Sequence, residues 1–330
     1  MAKVMRLVFM GSDGIALPML ERLADEGRAV VEIVGVFTQP DRPVGRGQRV
    51  VANAIKTWAM AAGVPVYQPE KFDDDARQQL AFLEPDVTLV MAYGHILRLP
   101  VIETPRLGTL NLHTSLLPRY RGASPIQTAI ASGERETGVS LMRIVPALDA
   151  GPVADVERVA VGSLDTALDV EAKLAEASAT LVWRNLPKLA AGSLRFHPQD
   201  ESRVTFCRRL SKEDGALDFS RAAAELAARI NGLFPWPTCQ VMIGDTPVKF
   251  GRADTLSESA GGSAAGSVVG ADENGLLIAT GSGTLRVRQL QRPGGKMLAA
   301  ADFLRGFPIA TGTRLPSSGH TVLVGARPLR

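Results

Sequence analysis

Residues 6–10 read RLVFM, residues 15–24 read IALPMLERLA and residues 31–37 read VEIVGVF. The first and third stretches are short apolar runs, which are typical of buried strands. The stretch between them carries its apolar residues at the spacing of one helix face. A strand, a helix and a second strand in this order predict two parallel strands joined by a helical crossover. The sequence therefore predicts an α/β fold for this part of the chain.

The alternation of helices and strands continues to about residue 190. Further helices are predicted over 52–62, 73–83, 124–133 and 164–190, and further strands over 65–67, 87–92, 108–112, 139–145 and 153–161. The strand at 87–92 is apolar throughout, which favours a central position in a parallel sheet. We therefore expect a Rossmann-like parallel sheet in this part of the chain.

Two shorter segments give local predictions. Residues 38–49 (TQPDRPVGRGQR) contain two prolines and two glycines and are predicted to form a loop. Ser124, Pro125 and Gln127 predict a sharp helix start. Serine can cap a helix, proline suits its first position, and glutamine three residues after the cap completes a capping box.

The pattern changes after about residue 190. One more helix is predicted over 221–233, and short β-like runs separated by glycine follow at 240–243, 248–250, 267–269, 276–279 and 285–289. Five short strands with turns between them predict a small β-barrel, similar to the five-stranded oligonucleotide-binding (OB) type. We therefore predict a first domain over 1–190, a linker over 191–207 and an OB-like barrel domain over 208–330.

Composition excludes several classes of protein. An apolar fraction of 45% in 330 residues is enough to build a sizeable core, which excludes wholesale disorder. The chain has only two cysteines, so a disulfide scaffold and a cysteine-rich zinc site are excluded. The histidines have no ligand spacing, and we expect no metal. No run of about 18 apolar residues occurs, and the apolar run at 7–10 is too short for a signal peptide, so we expect no membrane span and a cytoplasmic protein.

The positive charge is concentrated in the second half of the chain. The net charge is +3, and residues 207–330 hold 15 Lys and Arg against 10 Asp and Glu. This excess suits a second domain that faces an anionic partner. A solvated, slightly basic surface is the alternative that charge alone leaves open.

The densest group of polar residues is NLHTSLLPRYRGASP at 111–125. Asn111 and His113 lie two residues apart at the end of a predicted strand, so both side chains point to the same face. The carboxyl ends of parallel strands are where sites form. A histidine that moves protons and an amide that stabilises an oxyanion suit acyl transfer. In isolation, the pair could equally cap a strand end.

Asp149 lies in the tight loop LDAGP at 148–152. A carboxylate there could orient a histidine or take a proton from an amine, and an ordinary turn aspartate is the alternative. The turn GSDG at 11–14 lacks the third glycine of a dinucleotide fingerprint, so a plain strand-to-helix turn is favoured.

Taken together, these motifs resemble the methionyl-tRNA branch of the folate-dependent formyltransferase family over residues 5–315. The family carries Asn-x-His and, about 36 residues later, Asp in a Leu-Asp-x-Gly loop, which match Asn111, His113 and Asp149. The runs SLLP (115–118) and RYRGASPI (119–126) also match. The branch adds FTQPDRPVGRGQR (37–49), LSKEDGALDFS (210–220) and GLFPWP (232–237).

The resemblance implies a formyltransferase domain over 1–190 and a tRNA-binding barrel domain. It implies that 10-formyltetrahydrofolate donates a formyl group to the α-amine of methionyl-initiator tRNA, releasing tetrahydrofolate. Asn111 and protonated His113 would donate hydrogen bonds to the oxyanion of the tetrahedral intermediate. Asp149 would hold His113 in the right form and assist proton movement.

The resemblance also implies binding residues. The pterin would lie against the backbone of Met91, Ala92, Tyr93 and Gly94, and the folate would be flanked by Ser115, Leu116, Leu117 and Pro118. The tRNA would be contacted from the arginine-rich loop and from the start of the second domain by Arg42, Arg46, Arg49, Arg208, Arg209 and Lys212. No metal or nicotinamide is implied, and we expect a monomer.

Three alternatives account for parts of the pattern. A sugar-nucleotide formyltransferase would use the same Asn, His and Asp, although its small acceptor does not require the arginine loop and the barrel. A protein that binds tRNA or folate without turnover would not require the intact trio. A nicotinamide oxidoreductase would share the βαβ start but lacks its glycine fingerprint here.

Overall fold

The computed structural model describes residues 4–44, 47–256 and 262–329. The chain divides into two compact units. The first comprises Met1–Arg121, Gly138–Val159 and Ala172–Val204, and the second comprises Gly122–Thr137, Ala160–Glu171 and Thr205–Arg330. This division differs from the predicted domain boundaries at residues 190 and 208. The segments Gly122–Thr137 and Ala160–Glu171 precede residue 190 but belong to the second unit. The boundaries of the predicted domains stay a prediction.

The predicted helices and strands occur in the predicted order, and the structure adds short helices and strands that were not predicted. Up to residue 204, the elements are β1 (Met5–Met10), α1 (Leu17–Asp25), β2 (Val31–Phe37), β3 (Arg42–Val44), β4 (Arg49–Val51), α2 (Ala54–Ala61), β5 (Val66–Tyr67), α3 (Asp74–Phe82), β6 (Val87–Val90), α4 (Leu99–Ile102), β7 (Thr109–His113), β8 (Arg121–Gly122), α5 (Pro125–Ala131), β9 (Glu136–Arg143), β10 (Val153–Ala160) and α6 (Ala167–Ala190). The later elements are β11 (Phe206–Cys207), α7 (Ala223–Gly232), β12 (Cys239–Ile243), β13 (Thr246–Phe250), β14 (Ala253–Leu256), β15 (Val268–Asp272), β16 (Gly275–Ala279), β17 (Thr284–Val287), β18 (Gln289–Gln291), β19 (Leu298–Ala299), α8 (Ala300–Gly306) and β20 (Val324–Gly325).

The first unit is built on a seven-stranded sheet in the order β10-β9-β7-β6-β1-β2-β5. Strand β1 runs parallel to β2 and β6, and β6 runs parallel to β7. Strand β9 runs antiparallel to β7. All four residues of β6 are buried, because this strand occupies the middle of the sheet. The prediction of an α/β fold with a parallel sheet is confirmed.

The predicted loop at 38–49 is wrong in part, because two short strands lie within and beside it. Strands β3 and β4 form an antiparallel hairpin in which Pro43 faces Val50. A proline has no N–H to donate, but a two-stranded ribbon tolerates it because only one side of each strand is paired. Val50 and Val51 are the last two residues of β4, and their exposed fractions are 66% and 52%.

The predicted capping box at Ser124 is also wrong. Helix α5 begins at Pro125 as expected, but the Ser124 side chain makes no capping hydrogen bond. Its backbone lies at φ −134° and ψ 52°, away from the extended conformation that aims a cap side chain at the first turn. A capping box is found instead at Ser211 and Asp214, at the 3₁₀ turn Lys212–Gly215.

The second unit contains two four-stranded sheets, in the orders β12-β13-β18-β19 and β14-β17-β16-β15. The sheets share two bent strands, because β13 continues into β14 and β17 continues into β18. Hydrogen bonds persist across the bend, from Arg288 N to Arg252 O at 2.7 Å and from Gly251 N to Gln289 O at 2.9 Å. Counting each bent strand once leaves five long strands in the described part of these two sheets, together with the short β19. The C-terminal region is thus built from antiparallel sheets, which agrees with the predicted β-barrel, and the OB type of that barrel stays a prediction.

Helix α7 packs on β14 and β17 and also on α5. Gly232 at its end approaches α5 so closely that an added Cβ would lie 2.3 Å from Ala131 N. The core of this unit includes Phe219, Ile230 and Phe250, none of which is exposed. The apolar face of α7 therefore closes the β-structure from one side.

Candidate active site

His113 is the last residue of β7 and is 6% exposed. Its Nε2 lies 3.0 Å from the carbonyl oxygen of Tyr120. A carbonyl can only accept a hydrogen bond, so Nε2 is the donor and carries a proton. Asn111 lies two residues earlier in β7, on the same face, and is half-buried. The two predicted residues therefore stand side by side at the carboxyl end of a strand.

The Tyr120 carbonyl is held in place by the segment that follows β7. Tyr120 has a positive φ of 59°, which turns the chain back toward His113. Ser115 Oγ donates to Arg119 O at 2.7 Å, which closes the loop from within. Ser140, which faces His113 across the β7–β9 ladder, accepts from Leu117 N at 3.1 Å and donates to Ser115 O at 2.7 Å. The SLLP run is thus anchored to the strand beside the histidine.

Asp149 lies in the loop between β9 and β10. Its Oδ2 is 4.0 Å from His113 Nε2, which is an electrostatic contact and too long for a hydrogen bond. The structure thus brings His113 and Asp149 together, but the hydrogen bond that orients the imidazole comes from Tyr120. No sequence pattern indicates this carbonyl, because every residue type carries a main-chain acceptor.

The Asp149 loop has an unusual backbone. Asp149 has a φ of 47°, in the left-handed region that costs a non-glycine residue free energy. Two residues later, a Cβ added to Gly151 would lie 1.8 Å from Arg143 O, so only glycine fits there. Both Asp149 O and Gly151 O accept a hydrogen bond from Gln199 Nε2, at 2.8 Å each. Gln199 lies in the predicted linker and was not among the predicted site residues.

The predicted folate segment, Met91–Gly94, follows β6 at the same edge of the sheet. Ala92 and Gly94 have positive φ values of 49° and 80° and are exposed, whereas Tyr93 is 3% exposed. The turn is fixed by bonds from Ser12 N to Ala92 O at 3.2 Å and from Gln39 Nε2 to Tyr93 O at 3.0 Å. Small exposed residues at this turn present peptide groups rather than side chains, and the contact of this segment with a pterin stays a prediction.

The Tyr93 side chain is buried behind this turn. Its hydroxyl has no hydrogen-bond partner among the described residues. Burial raises the pKa of Tyr93 above its usual value, because the phenolate would lie in an apolar environment. Its ring packs edge-on against His95 with centroids 4.8 Å apart. The hydroxyl is therefore a neutral group beside the predicted pterin segment.

The arginines predicted to contact tRNA lie in different environments. Arg42 and Arg49 lie on the exposed β3–β4 hairpin, where Arg42 pairs with Glu70 at 2.6 Å. Arg46 lies outside the described residues. Arg209 and Lys212 are exposed. The contacts of these residues with tRNA stay a prediction.

Arg208 differs from the others because its guanidinium is already engaged. Its two Nη atoms donate to the two carboxylate oxygens of Asp214, at 2.8 and 2.6 Å, and the Asp214 side chain is fully buried. Burial alone would raise the pKa of Asp214, but hydrogen bonds from Arg208, Thr321 and Ser211 outweigh it and lower the pKa to about 2. Arg208 is thus half of a buried ion pair.

The described residues show neither a preformed metal site nor a membrane span. No group of three or more His, Cys, Asp or Glu side chains in 4–44, 47–256 and 262–329 is arranged to hold a metal ion. In the same part of the chain, no helix is long and apolar enough to cross a membrane.

Comparison with known proteins places the chain in a family. The formyl transferase family matches residues 5–186, and the formyl transferase C-terminal domain matches residues 209–308. The methionyl-tRNA formyltransferase of Gluconobacter oxydans is 42% identical over 94% of this chain and 100% of its own length. That of Methylococcus capsulatus is 40% identical over 94% of this chain and 99% of its own length.

Solved structures share the fold at much lower identity. The sugar 3N-formyl transferase WlaRD, crystallised with dTDP and 5-N-formyl-THF, has a TM-score of 0.66 at 18% identity and covers 89% of this chain and 100% of its own. A methionyl-tRNA formyltransferase from Clostridium thermocellum has a TM-score of 0.53 at 13% identity, over 77% of this chain and 94% of its own. The sequence relatives decide the family, and the chain belongs to the methionyl-tRNA formyltransferases.

Proposed function

We propose that this chain transfers a formyl group from 10-formyltetrahydrofolate to the α-amino group of the methionine carried by initiator tRNA, in the cytoplasm. The observation that carries the proposal is the match, at about 40% identity and over nearly the whole length, to enzymes named methionyl-tRNA formyltransferase. The pairing of His113 with Asp149 beside Asn111 supports the chemistry. Sugar formyltransferases share only the fold, at 18% identity.

The reaction needs an oxyanion site and a proton path. The amine lone pair attacks the formyl carbon, and negative charge develops on the formyl oxygen. The Asn111 amide and the imidazolium of His113 would donate to that oxygen. Since Nε2 donates to Tyr120 O, the oxyanion would be met by Nδ1–H. Asp149 balances the charge of the imidazolium from 4.0 Å.

Asp149 would also handle the proton released by the amine. The attacking nitrogen loses one proton as the new C–N bond forms, and the departing nitrogen of tetrahydrofolate gains one as the old C–N bond breaks. A carboxylate beside the reacting atoms can accept the first proton and return it, directly or through water. The net reaction moves the formyl group and leaves the enzyme unchanged.

Substrate binding in this proposal uses segments described above. The pterin would hydrogen-bond to the backbone of Met91–Gly94, and SLLP (115–118) would flank the folate. Arg42, Arg46 and Arg49, with Arg209 and Lys212, would contact tRNA phosphates. The catalytic and tRNA-binding domains would divide near residues 190 and 208, and the enzyme would act as a monomer without a metal.

The test is formyl transfer to methionyl-initiator tRNA, with methionyl-elongator tRNA as the paired control. We expect fast transfer to the initiator and little to the elongator. Equal transfer to both would contradict the proposed acceptor. Transfer to a sugar-nucleotide amine instead would establish the alternative acceptor and retain the role of the trio.

Substitution of the trio tests the chemistry. Asn111→Ala, His113→Ala and Asp149→Ala should each lower kcat at least about 100-fold, the scale for removing an oxyanion donor or a proton carrier. Asn274→Ala and Asp75→Ala are matched controls for the amide and the carboxylate, because both residues are exposed and distant in sequence from the trio. A trio variant that keeps its fold by circular dichroism and retains near-normal kcat would refute the role of that residue.

A further inference from the structure

The Asp149 loop is held by a side chain that the chemistry itself does not require. Gln199 Nε2 donates to the carbonyls of Asp149 and Gly151, at 2.8 Å each. One amide group therefore clamps the loop at Asp149 itself and again two residues later. The clamp matters because the left-handed backbone of Asp149 persists only when its surroundings hold it.

The orientation of the Gln199 amide is fixed from its other end. Its Oε1 accepts hydrogen bonds from Arg121 Nε at 3.1 Å and from Arg121 Nη2 at 2.9 Å. A guanidinium has donors only, so the amide oxygen must face Arg121 and the amide nitrogen must face the loop. The amide thus cannot be flipped without losing four hydrogen bonds.

Arg121 is itself well anchored. Its side chain is 5% exposed, and Nη2 pairs with Glu201 Oε1 at 2.7 Å. A hydrogen bond between charged groups is stronger than a neutral one, and here only the Arg121 side is buried, since the Glu201 side chain is 71% exposed. Arg121 can therefore hold Gln199 in a single rotamer.

Arg121 also follows Tyr120 directly in the chain. The Tyr120 carbonyl accepts the Nε2 proton of His113, and the Arg121 side chain supports Gln199. One dipeptide therefore connects to both partners of the candidate pair, through its backbone to His113 and through its side chain and Gln199 to Asp149. A shift of this dipeptide would change the distance between the imidazole and the carboxylate.

The geometry points to Gln199 as a positioning residue that sets the place of the Asp149 carboxylate relative to His113, with Arg121 and Glu201 as its support. This inference rests on the proposed function, in which Asp149 moves a proton. Gln199 touches no reacting atom and acts only through the loop.

Kinetics of formyl transfer test the inference. Gln199→Ala removes the clamp, and Gln199→Glu keeps the acceptor for Arg121 but replaces the two donors by a carboxylate oxygen. Because a misplacement of about 1 Å can cost up to about 100-fold in rate, we expect both variants to lower kcat about 10- to 100-fold. KM for the folate donor and for initiator tRNA should stay within about twofold. Gln79→Ala, an exposed glutamine of the same unit, is the matched control and should keep the wild-type kcat.

A double-substitution cycle separates positioning from mere stability. If Gln199 acts through Asp149, then Gln199→Ala should have little further effect on kcat in an Asp149→Ala background. Multiplicative losses in the double variant would overturn the inference. An unchanged kcat in both Gln199 variants would also overturn it, whatever their melting temperatures.

Amide hydrogen exchange gives a readout that does not depend on which amine accepts the formyl group. In Gln199→Ala, the N–H group of Ala150, which donates to Ala147 O, should exchange faster, while those of β7 keep their wild-type rates. Unchanged exchange at Ala150 would refute the clamp. A wild-type enzyme that fails to formylate methionyl-initiator tRNA would refute the proposed function alone, since the exchange result stands without it.

Discussion

His113 takes its orientation from a main-chain carbonyl and its electrostatic environment from a carboxylate. The Tyr120 oxygen lies 3.0 Å from Nε2 and the Asp149 oxygen lies 4.0 Å from the same atom. Because a carbonyl can only accept a hydrogen bond, this contact places a proton on Nε2. Nε2 therefore holds the ring in place, and Nδ1 is left available for the chemistry.

Asp214 shows how a single residue can stabilise the second unit. Its carboxylate is buried and accepts from Arg208, Thr321 and the Ser211 N–H. Removing one partner of a buried ion pair leaves an uncompensated charge, so Asp214→Ala should lower the free energy of unfolding by about 3–5 kcal/mol. Denaturant titration measures this change. Asp302→Ala, which breaks an exposed pair with Arg305, is the matched control and should cost less than about 1 kcal/mol.

His320 should make stability depend on pH. Burial, followed by the charges of Arg229 and Arg221, lowers the pKa of His320 to about 4 from its usual 6.5. Below pH 6.5 the unfolded chain therefore binds a proton that the folded chain does not, and the free energy of unfolding falls as the pH is lowered from 6.5 to 4. His320→Gln should flatten the free energy of unfolding over this range. An identical slope in the variant and the wild type would contradict the prediction.

At the scale of elements, the strands of the sheet were the most predictable part. Strand β2 lies at Val31–Phe37, as the apolar run predicts, and β6 occupies the predicted central position. Burial on both faces requires a continuous apolar run, and that requirement is readable from the sequence. The β3–β4 hairpin could not be predicted in this way, because its described side chains are exposed and no buried face produces a periodic pattern.

The candidate site was predictable only where it depends on residue types. Asn111, His113 and Asp149 could be found because their side chains are chemically distinctive. Tyr120 and Gln199 could not, since the first contributes its backbone and the second holds the loop through carbonyl groups. Arg208 was predicted as a tRNA contact because it is basic and begins the second domain. Its partner Asp214 lies only six residues away, in a turn whose burial the sequence does not reveal.

The hairpin is the element on which the tRNA proposal is most directly testable. Arg49 is exposed on β4, in the hairpin that follows β2 in the chain. If it contacts a phosphate, Arg49→Ala should weaken initiator tRNA binding and reduce the slope of log K against log salt by about 0.7–0.9. Arg28→Ala is the matched control. The Arg28 side chain is 78% exposed, and Arg28 precedes β2 in the chain, whereas the hairpin follows β2. A salt slope equal to that of the wild type would refute the contact.

At the scale of the whole molecule, the two thiols report on global unfolding. Cys207 and Cys239 are 5% and 0% exposed. Burial raises the pKa of Cys239 to about 12, because the thiolate would be desolvated, and Arg229 offsets this only in part. Neither thiol should react with iodoacetamide in the native protein, and both should react after unfolding in denaturant. Labelling of either thiol faster than global unfolding would contradict the prediction.

The interleaving of the two units has a consequence for synthesis on the ribosome. Helix α5 belongs to the second unit, and the helix it packs against, α7, begins at Ala223. At about 5–20 residues per second, the roughly 90 residues between them take about 5–18 s to be translated. During that interval the apolar face of α5 has no partner, and a fragment that starts at residue 208 would leave α7 without α5 permanently. We therefore expect the second unit to complete its fold only after the C-terminal half has emerged, last in the order of assembly although its first segment is made early.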